Sequence, residues 1–322
     1  MKAARVISRR KIEFLDTPEP KISKKGDIKV KIEALSVCGS DIYLEYDNEL
    51  SEEKYPFIPG APSHECAGTV VESTDPDYKE GQRVIIIPEN INGMQEYLVQ
   101  DKHKLIKLPD WGSMSEWVMC QHSGTVLYSS KKWGNISGKT LAILGQGGIG
   151  LSFTMLGAKQ GAKILAAIDL EQYRLKKSLE FGASHSINPS NENMLSISEE
   201  ITNGKGFDVV VDASGDPNGI NHCIDLVKNE GQIISFSLIR GGKTTLEYQK
   251  FMSKNLNIVS TVVAVTNQPI KEIKEMVNYK KSGWMDPGLL KTHDCSWTKA
   301  QEALEMYRLR QDKIIKIAMS VD

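Results

Sequence analysis

The first third of the chain reads as short stretches of alternating apolar and polar residues, broken by turn residues. Asp27-Ile28-Lys29-Val30-Lys31-Ile32-Glu33-Ala34 has the period of two expected of a half-buried strand. Two more strands are predicted over 66–72 and 82–87, separated by a loop over 74–81 that is rich in Asp, Pro and Lys. No long helical period appears before about Ser113. This part predicts a β-rich domain.

The pattern changes after Ser137-Gly138-Lys139. Thr140-Leu141-Ala142-Ile143-Leu144 is a continuous apolar run, as in a strand covered on both faces. Strands predicted at 163–169, 207–212, 231–236 and 256–263 alternate with helical stretches. That rhythm implies a doubly wound parallel sheet with helices on both faces, so the fold class is α/β. Two helices near 268–283 and 298–309 and a last strand over 313–319 follow. A tail this short makes a poor independent core, so it is expected to return to the first domain. The expected division is 1–122, 123–264 and 265–322.

Composition narrows the field. The chain has 322 residues, long enough to split into two domains. A formal net charge of -1 gives no reason to expect nucleic acid or an anionic membrane as a partner. No run approaches the ~20 apolar residues of a membrane span. The opening residues lack a secretory apolar stretch, so a cytoplasmic location is expected. Five cysteines, an odd number spread widely, make a poor disulfide framework. Each is a buried thiol or a metal ligand.

The sharpest motif is Gly145-Gln146-Gly147-Gly148-Ile149-Gly150, placed between a predicted strand and a predicted helix. Gly145 suits a tight turn, Gly147 a backbone close to a pyrophosphate, and Gly150 a helix packed closely on the strand. The helix start presents free N–H groups to phosphates. Asp169 ends the next strand, 19 residues beyond Gly150. An acid there can accept both ribose hydroxyls and would repel a 2′-phosphate, which predicts NAD over NADP. The alternative is that Asp169 caps the next helix. Arg174 either lies along the adenosine ribose or faces solvent.

Cys38, His64, Glu65 and Cys120 together offer the donor types zinc prefers. A catalytic site needs three protein ligands and one open position. Cys38, His64 and Cys120 can supply three, with Glu65 either ligating or just outside, so the third ligand stays open between Glu65 and Cys120. Asp41 is placed to orient the His64 ring. Ser40 puts a hydroxyl beside the metal as a proton acceptor. His122 is read as structural, with a stray ligand role as the alternative. His103, His185, His222 and His293 are background.

These residues resemble the medium-chain, zinc-dependent alcohol and polyol dehydrogenase family. The resemblance runs nearly end to end: Cys38-Gly39-Ser40-Asp41-Ile42, His64-Glu65 with Ala67-Gly68-Thr69-Val70, Gly81-Gln82-Arg83-Val84, Gln95-Glu96-Tyr97, the glycine loop, and Val211-Asp212-Ala213-Ser214-Gly215 in order. It implies a β-rich GroES-like catalytic domain holding zinc and a Rossmann domain holding NAD in the cleft between them. Ala213 and Ser214 would lie beneath the nicotinamide. A small-molecule alcohol is the implied substrate, and a homodimer or homotetramer the implied assembly. Three departures stand out. No four-cysteine lobe follows Val84, which excludes a structural zinc. Ser63 replaces a usual glycine, which is expected to alter the local turn. Tyr43 replaces a common proton-relaying histidine, so the proton leaves through Tyr43, water or the cofactor ribose. Two rivals are a zinc-free reductase of the same fold acting on enones or quinones, and a non-catalytic NAD-binding protein.

Overall fold

The computed structural model describes residues 1–48, 50–239 and 242–321. Among these the chain forms fifteen strands. The first seven are β1 (Lys2–Ser8), β2 (Lys11–Asp16), β3 (Ile28–Ser36), β4 (Glu65–Ser73), β5 (Arg83–Ile86), β6 (Tyr97–Gln100) and β7 (Leu105–Lys107). Then come β8 (Thr140–Leu144), β9 (Ile164–Ile168), β10 (His185–Ile187), β11 (Phe207–Asp212), β12 (Val227–Ser235) and β13 (Asn257–Ser260). The chain closes with β14 (Lys291–Ser296) and β15 (Lys316–Ser320). It divides into two compact units, one of Met1–Gly124 with Gln268–Asp322 and one of Thr125–Asn267.

In the first unit, β1 and β2 form a hairpin, and the main sheet runs β14-β15-β3-β4-β5-β7 with β6 also paired to β3. The alternation in β3 does what its pattern predicts. Ile28, Val30 and Ile32 are fully buried, and the intervening lysines and Glu33 are partly exposed. β3 pairs with β4 along its length, and its other edge serves two partners: Ile28–Lys31 pairs with β6, and Ala34–Ser36 pairs antiparallel with β15. The chain's end is therefore built into the sheet that its beginning starts. The helix Ala300–Leu309 buries Ala300, Ala303 and Leu304 in the same core as Ile42, Tyr46 and Trp297.

The second unit is a parallel sheet in the order β10-β9-β8-β11-β12-β13. Sequence order reverses direction between β8 and β11, the switch point where doubly wound sheets take ligands. Its apolar strands are covered on both faces: Leu141, Ala142, Ile143, Val210, Val211 and Ile233 are fully buried. This is the Rossmann arrangement that the strand–helix alternation predicts.

The glycine loop leaves β8 and enters the helix Gly148–Lys159. Gly145 has φ +90°, a left-handed value that costs glycine little, and a Cβ there would lie 2.6 Å from the Ala213 carbonyl oxygen. A Cβ on Gly150 would lie 1.7 Å from the Gly145 carbonyl oxygen, so the helix can meet the strand end only with glycine at this point. Gly150→Ala is therefore expected to lower unfolding free energy by about 2–3 kcal/mol, the upper part of the usual range for overpacking. Urea denaturation would show a shifted midpoint at unchanged slope; an unshifted midpoint would mean the loop absorbs the methyl.

Candidate functional site

Cys38 and His64 come from two neighbouring antiparallel strands. Cys38 lies two residues past the end of β3, and His64 immediately precedes β4. Glu65 opens β4 opposite Ser36, the last residue of β3. That register brings Cys38, His64 and Glu65 together: one ligand atom from each lies within 4.8 Å of the others.

Asp41 ties this group from beneath. Its Oδ2 accepts the backbone N–H of Cys38 at 2.9 Å, and its Oδ1 lies 2.8 Å from His64 Nδ1. With Nδ1 facing Asp41, Nε2 is the ring nitrogen left for a cation shared with the Cys38 sulfur beside it. Burial opposes a charged His64 ring, but the Asp41 carboxylate and the Cys38 sulfur beside it hold its pKa well above the ordinary value. Ser40 Oγ donates to Cys38 Sγ at 3.3 Å. Tyr43 lies on the π-helical turn Asp41–Tyr46 with its ring over Gly39, where a Cβ would be 3.6 Å away.

Glu65 is fully buried, and its Oε2 accepts from Lys316 Nζ at 2.6 Å. Burial alone would raise the carboxyl pKa, but the Lys316 ammonium overcomes this and brings it down to about 2. The other oxygen, Oε1, is buried and has no hydrogen-bond partner among the described residues. An ionised carboxylate with an unsatisfied buried oxygen is short of a donor or a cation. The donor set of sulfur, imidazole nitrogen and carboxylate oxygen suits zinc.

Cys120 is not in this group, contrary to the expectation that it shares the cation. It is fully buried at the start of the helix Met119–Ser130, and burial pushes its thiol well up. The charges that reach it are those of Lys280 and Asp286 rather than those of the site. Of the two candidates for third ligand, the geometry brings in Glu65. Ser63, the departure from glycine, causes no backbone strain: it is not among the described residues with positive φ, and its N–H donates to the Ile91 carbonyl at 2.8 Å.

Several residues here escaped sequence reasoning. Lys316 is the main one, although a lone charge between Ile315 and Ile317 was a legible sign. Gln121 is buried, and its Oε1 also lacks a partner among the described residues. Glu45, on the same turn as Asp41, is raised to about 7 by burial first and then by the Asp41 charge. That places it in the range useful for moving protons.

In the second unit, Gly145 packs against Ala213 and Ser214 at the switch point, so these three residues do converge. Ser214 Oγ donates to Asp212 Oδ1 at 2.7 Å. Gly147 caps the helix that Gly148, Ile149 and Gly150 begin, and first-turn N–H groups have no acceptor within their own helix. Asp169 does not cap the next helix, whose N-cap is Glu171. Its carboxylate instead accepts the N–H of Gln146 at 2.6 Å and that of Glu171 at 2.8 Å. Arg174 is not left in solvent: its Nη1 is 3.8 Å from Asp169 Oδ2 and 3.9 Å from where a Gly147 Cβ would stand. A hollow of about 240 Å³ opens at the carboxyl ends of β11, β12 and β13, lined by Asp212, Ser235, Ser237 and Ser260.

Comparison with known proteins agrees with this fold. Residues 24–130 match the model of the alcohol dehydrogenase GroES-like domain, and residues 148–279 match that of zinc-binding dehydrogenases. Sorbitol dehydrogenase of Bacillus subtilis is 25% identical over 349 residues, spanning 98% of this chain and 96% of that one. An alcohol dehydrogenase from Thermus sp. ATN1 superposes with a TM-score of 0.87 at 20% identity, with both chains covered in full. A Sinorhizobium meliloti protein described as a zinc-binding dehydrogenase, solved with NADP bound, has a TM-score of 0.83 at 20% identity and 99% coverage of each chain. The chain belongs to the zinc-dependent medium-chain dehydrogenase family, with a GroES-like domain and a Rossmann domain.

His122 supplies a pH test of the site. It is fully buried, and burial followed by the Lys316 charge lowers its pKa to about 3. Its folded-state pKa is below the unfolded one, so the unfolded chain binds the extra proton between about 6.5 and 3. Stability from this group is full above that window and is lost as pH falls through it, at up to ~1.4 kcal/mol per pH unit. In chelator-treated protein, His122→Gln is expected to flatten this slope. Identical slopes in parent and variant, read from urea midpoints at several pH values, would remove His122 from the acid response.

Proposed function

We propose that the protein is an NAD-dependent dehydrogenase that oxidises a secondary alcohol, polyol or sugar-like hydroxyl at one catalytic zinc. The observation that carries this reading is the cluster of Cys38, His64 and Glu65 with a buried, unsatisfied carboxylate oxygen. Zinc held by Cys38, His64 and Glu65 supplies the Lewis acidity that makes an alcohol hydroxyl acidic, and NAD supplies the hydride acceptor.

The chain's own groups then have distinct tasks. Asp41 fixes the His64 ring and the Cys38 backbone, so the donors need no reorganisation. Ser40 Oγ rests donating to Cys38 Sγ; as a relay its O–H turns to an outward acceptor, and a lone pair takes the substrate's proton as its own proton leaves, so the hydroxyl stays neutral. Tyr43 and Glu45, on the turn that follows, offer the next stations outward. Gly145, Gly147, Gly148, Ile149 and Gly150 hold the pyrophosphate of the cofactor, with Ala213 and Ser214 beneath its nicotinamide. Asp169 takes the adenosine ribose hydroxyls, and its charge disfavours a 2′-phosphate, although the Sinorhizobium meliloti relative was solved with NADP. The sorbitol dehydrogenase relationship favours a polyol-like substrate. The edge strand β13 and the exposed Val262 and Val265 beside it suit association of two copies through the second unit.

The test is an NADH-absorbance screen across polyols, amino alcohols and simple sugars, with zinc measured on the same sample. An active sample holding less than ~0.1 zinc per chain would contradict the Lewis-acid role. Ser40→Ala is expected to lower kcat by roughly 10²-fold with a smaller change in KM, as for loss of a general base. Unchanged turnover would take Ser40 out of the proton path.

A further inference from the structure

We propose that Lys316 sets the strength of the cation site, acting as a fixed positive counterweight that weakens the hold of Glu65 on the metal. This rests on the reading of Cys38, His64 and Glu65 as ligands.

Lys316 lies on β15, at the far end of the chain from the residues it touches. Its Nζ donates to Glu65 Oε2 at 2.6 Å and to the Val37 carbonyl oxygen at 2.6 Å. Val37 precedes Cys38 and Glu65 follows His64, so one ammonium group holds both ligand-bearing segments. The Lys316 side chain has no exposed surface, so water cannot take its place. An ammonium fixed beside a ligand carboxylate has two consequences. It engages the lone pairs of one oxygen, and it repels a dication bound to the same carboxylate.

The charges around the site show why such a counterweight is useful. Cys38 as thiolate, Glu65 and Asp41 contribute three negative charges within one small group in which Glu65 and Asp41 are buried and Cys38 is half-buried. A dication alone leaves one negative charge unbalanced in a poorly solvated place. Lys316 balances it, which spares the desolvated Glu65 an uncompensated charge and lowers the pull on the dication.

A purely structural lysine and a counterweight predict opposite signs. Removing a clamp loosens the ligands and weakens metal binding, whereas removing a like charge strengthens it. The experiment is a Co²⁺ titration of chelator-stripped protein, followed by the visible cobalt bands. Lys316→Met is expected to bind Co²⁺ at least about ten-fold more tightly than the parent, a lower bound because bare repulsion between an ammonium a few ångströms from a dication exceeds this even at an effective dielectric of ~20. This variant buries an unpaired carboxylate and can fail to fold. The double variant Lys316→Met/Glu65→Gln orphans no charge, and it should bind Co²⁺ more tightly than Glu65→Gln alone by a similar factor. Equal or weaker binding in the proteins lacking the ammonium overturns the proposal. A parent protein with no Co²⁺ bands at any concentration would instead remove the cation site itself.

Discussion

Two charges removed from water lie 2.6 Å apart at the centre of the first unit, on Lys316 and Glu65. Desolvating either one alone would cost several kcal/mol, and removing one partner of such a pair typically costs about 3–5 kcal/mol. Neither residue can hold its place without the other. The pair joins positions 251 residues apart, so the start of β4 at His64 and Glu65 depends on the placement of the strand carrying Lys316. Pairing of β15 with the end of β3 does that seating, and Val37 donates its N–H to the Ile317 carbonyl at 3.3 Å in the same place. The C-terminal return is thus a structural component of the site, beyond covering the core.

Around this pair the site is arranged by backbone register more than by side-chain choice. The antiparallel partnership of β3 with β4 sets Ser36 opposite Glu65, and the chain beyond Ser36 then has to pass His64. Asp41 converts that proximity into geometry, because one carboxylate engages the Cys38 N–H and the His64 ring together. The second unit uses a different constraint. Its loop is shaped by missing side chains, with Gly145 against Ala213 and Gly150 against the Gly145 carbonyl. A carboxylate again ties the piece together, since Asp169 accepts the Gln146 N–H from the neighbouring strand's loop.

Five strands of the second unit were legible because continuous apolar runs bounded by glycine and polar turns have few other uses, and β8 and β11 begin and end where the pattern says; the three-residue β10, in which only Ile187 is buried, was not. The hairpin of β1 and β2 and the strand β14 were not legible. Their residues are mixed and only half buried, so neither periodicity dominates. The glycine loop and the Cys38, His64 and Glu65 donors could be found because their chemistry is local to a short motif. Lys316 could not be paired with Glu65 from sequence, because only the return of the chain makes them neighbours.

Cys120 shows the limit of reading ligands by type. A thiol binds zinc as thiolate, and thiolate formation needs nearby positive charge or solvent. Cys120 is buried away from the donor group of Cys38, His64 and Glu65, its thiol is pushed up by burial, and the Lys280 ammonium that reaches it is already paired with Asp286. Cys66 is similar: it is buried, pushed up to about 12, and pressed so closely by the loop that a Cβ on Gly93 would stand 2.1 Å from its sulfur. Cys38 differs in its surroundings. It has a hydroxyl donating to its sulfur, the His64 ring beside it, and a backbone held by Asp41. Cys38, Cys66 and Cys120, three of the four cysteines of the first unit, share one chemistry, and the polar groups around Cys38 are what set it apart as the proposed metal ligand.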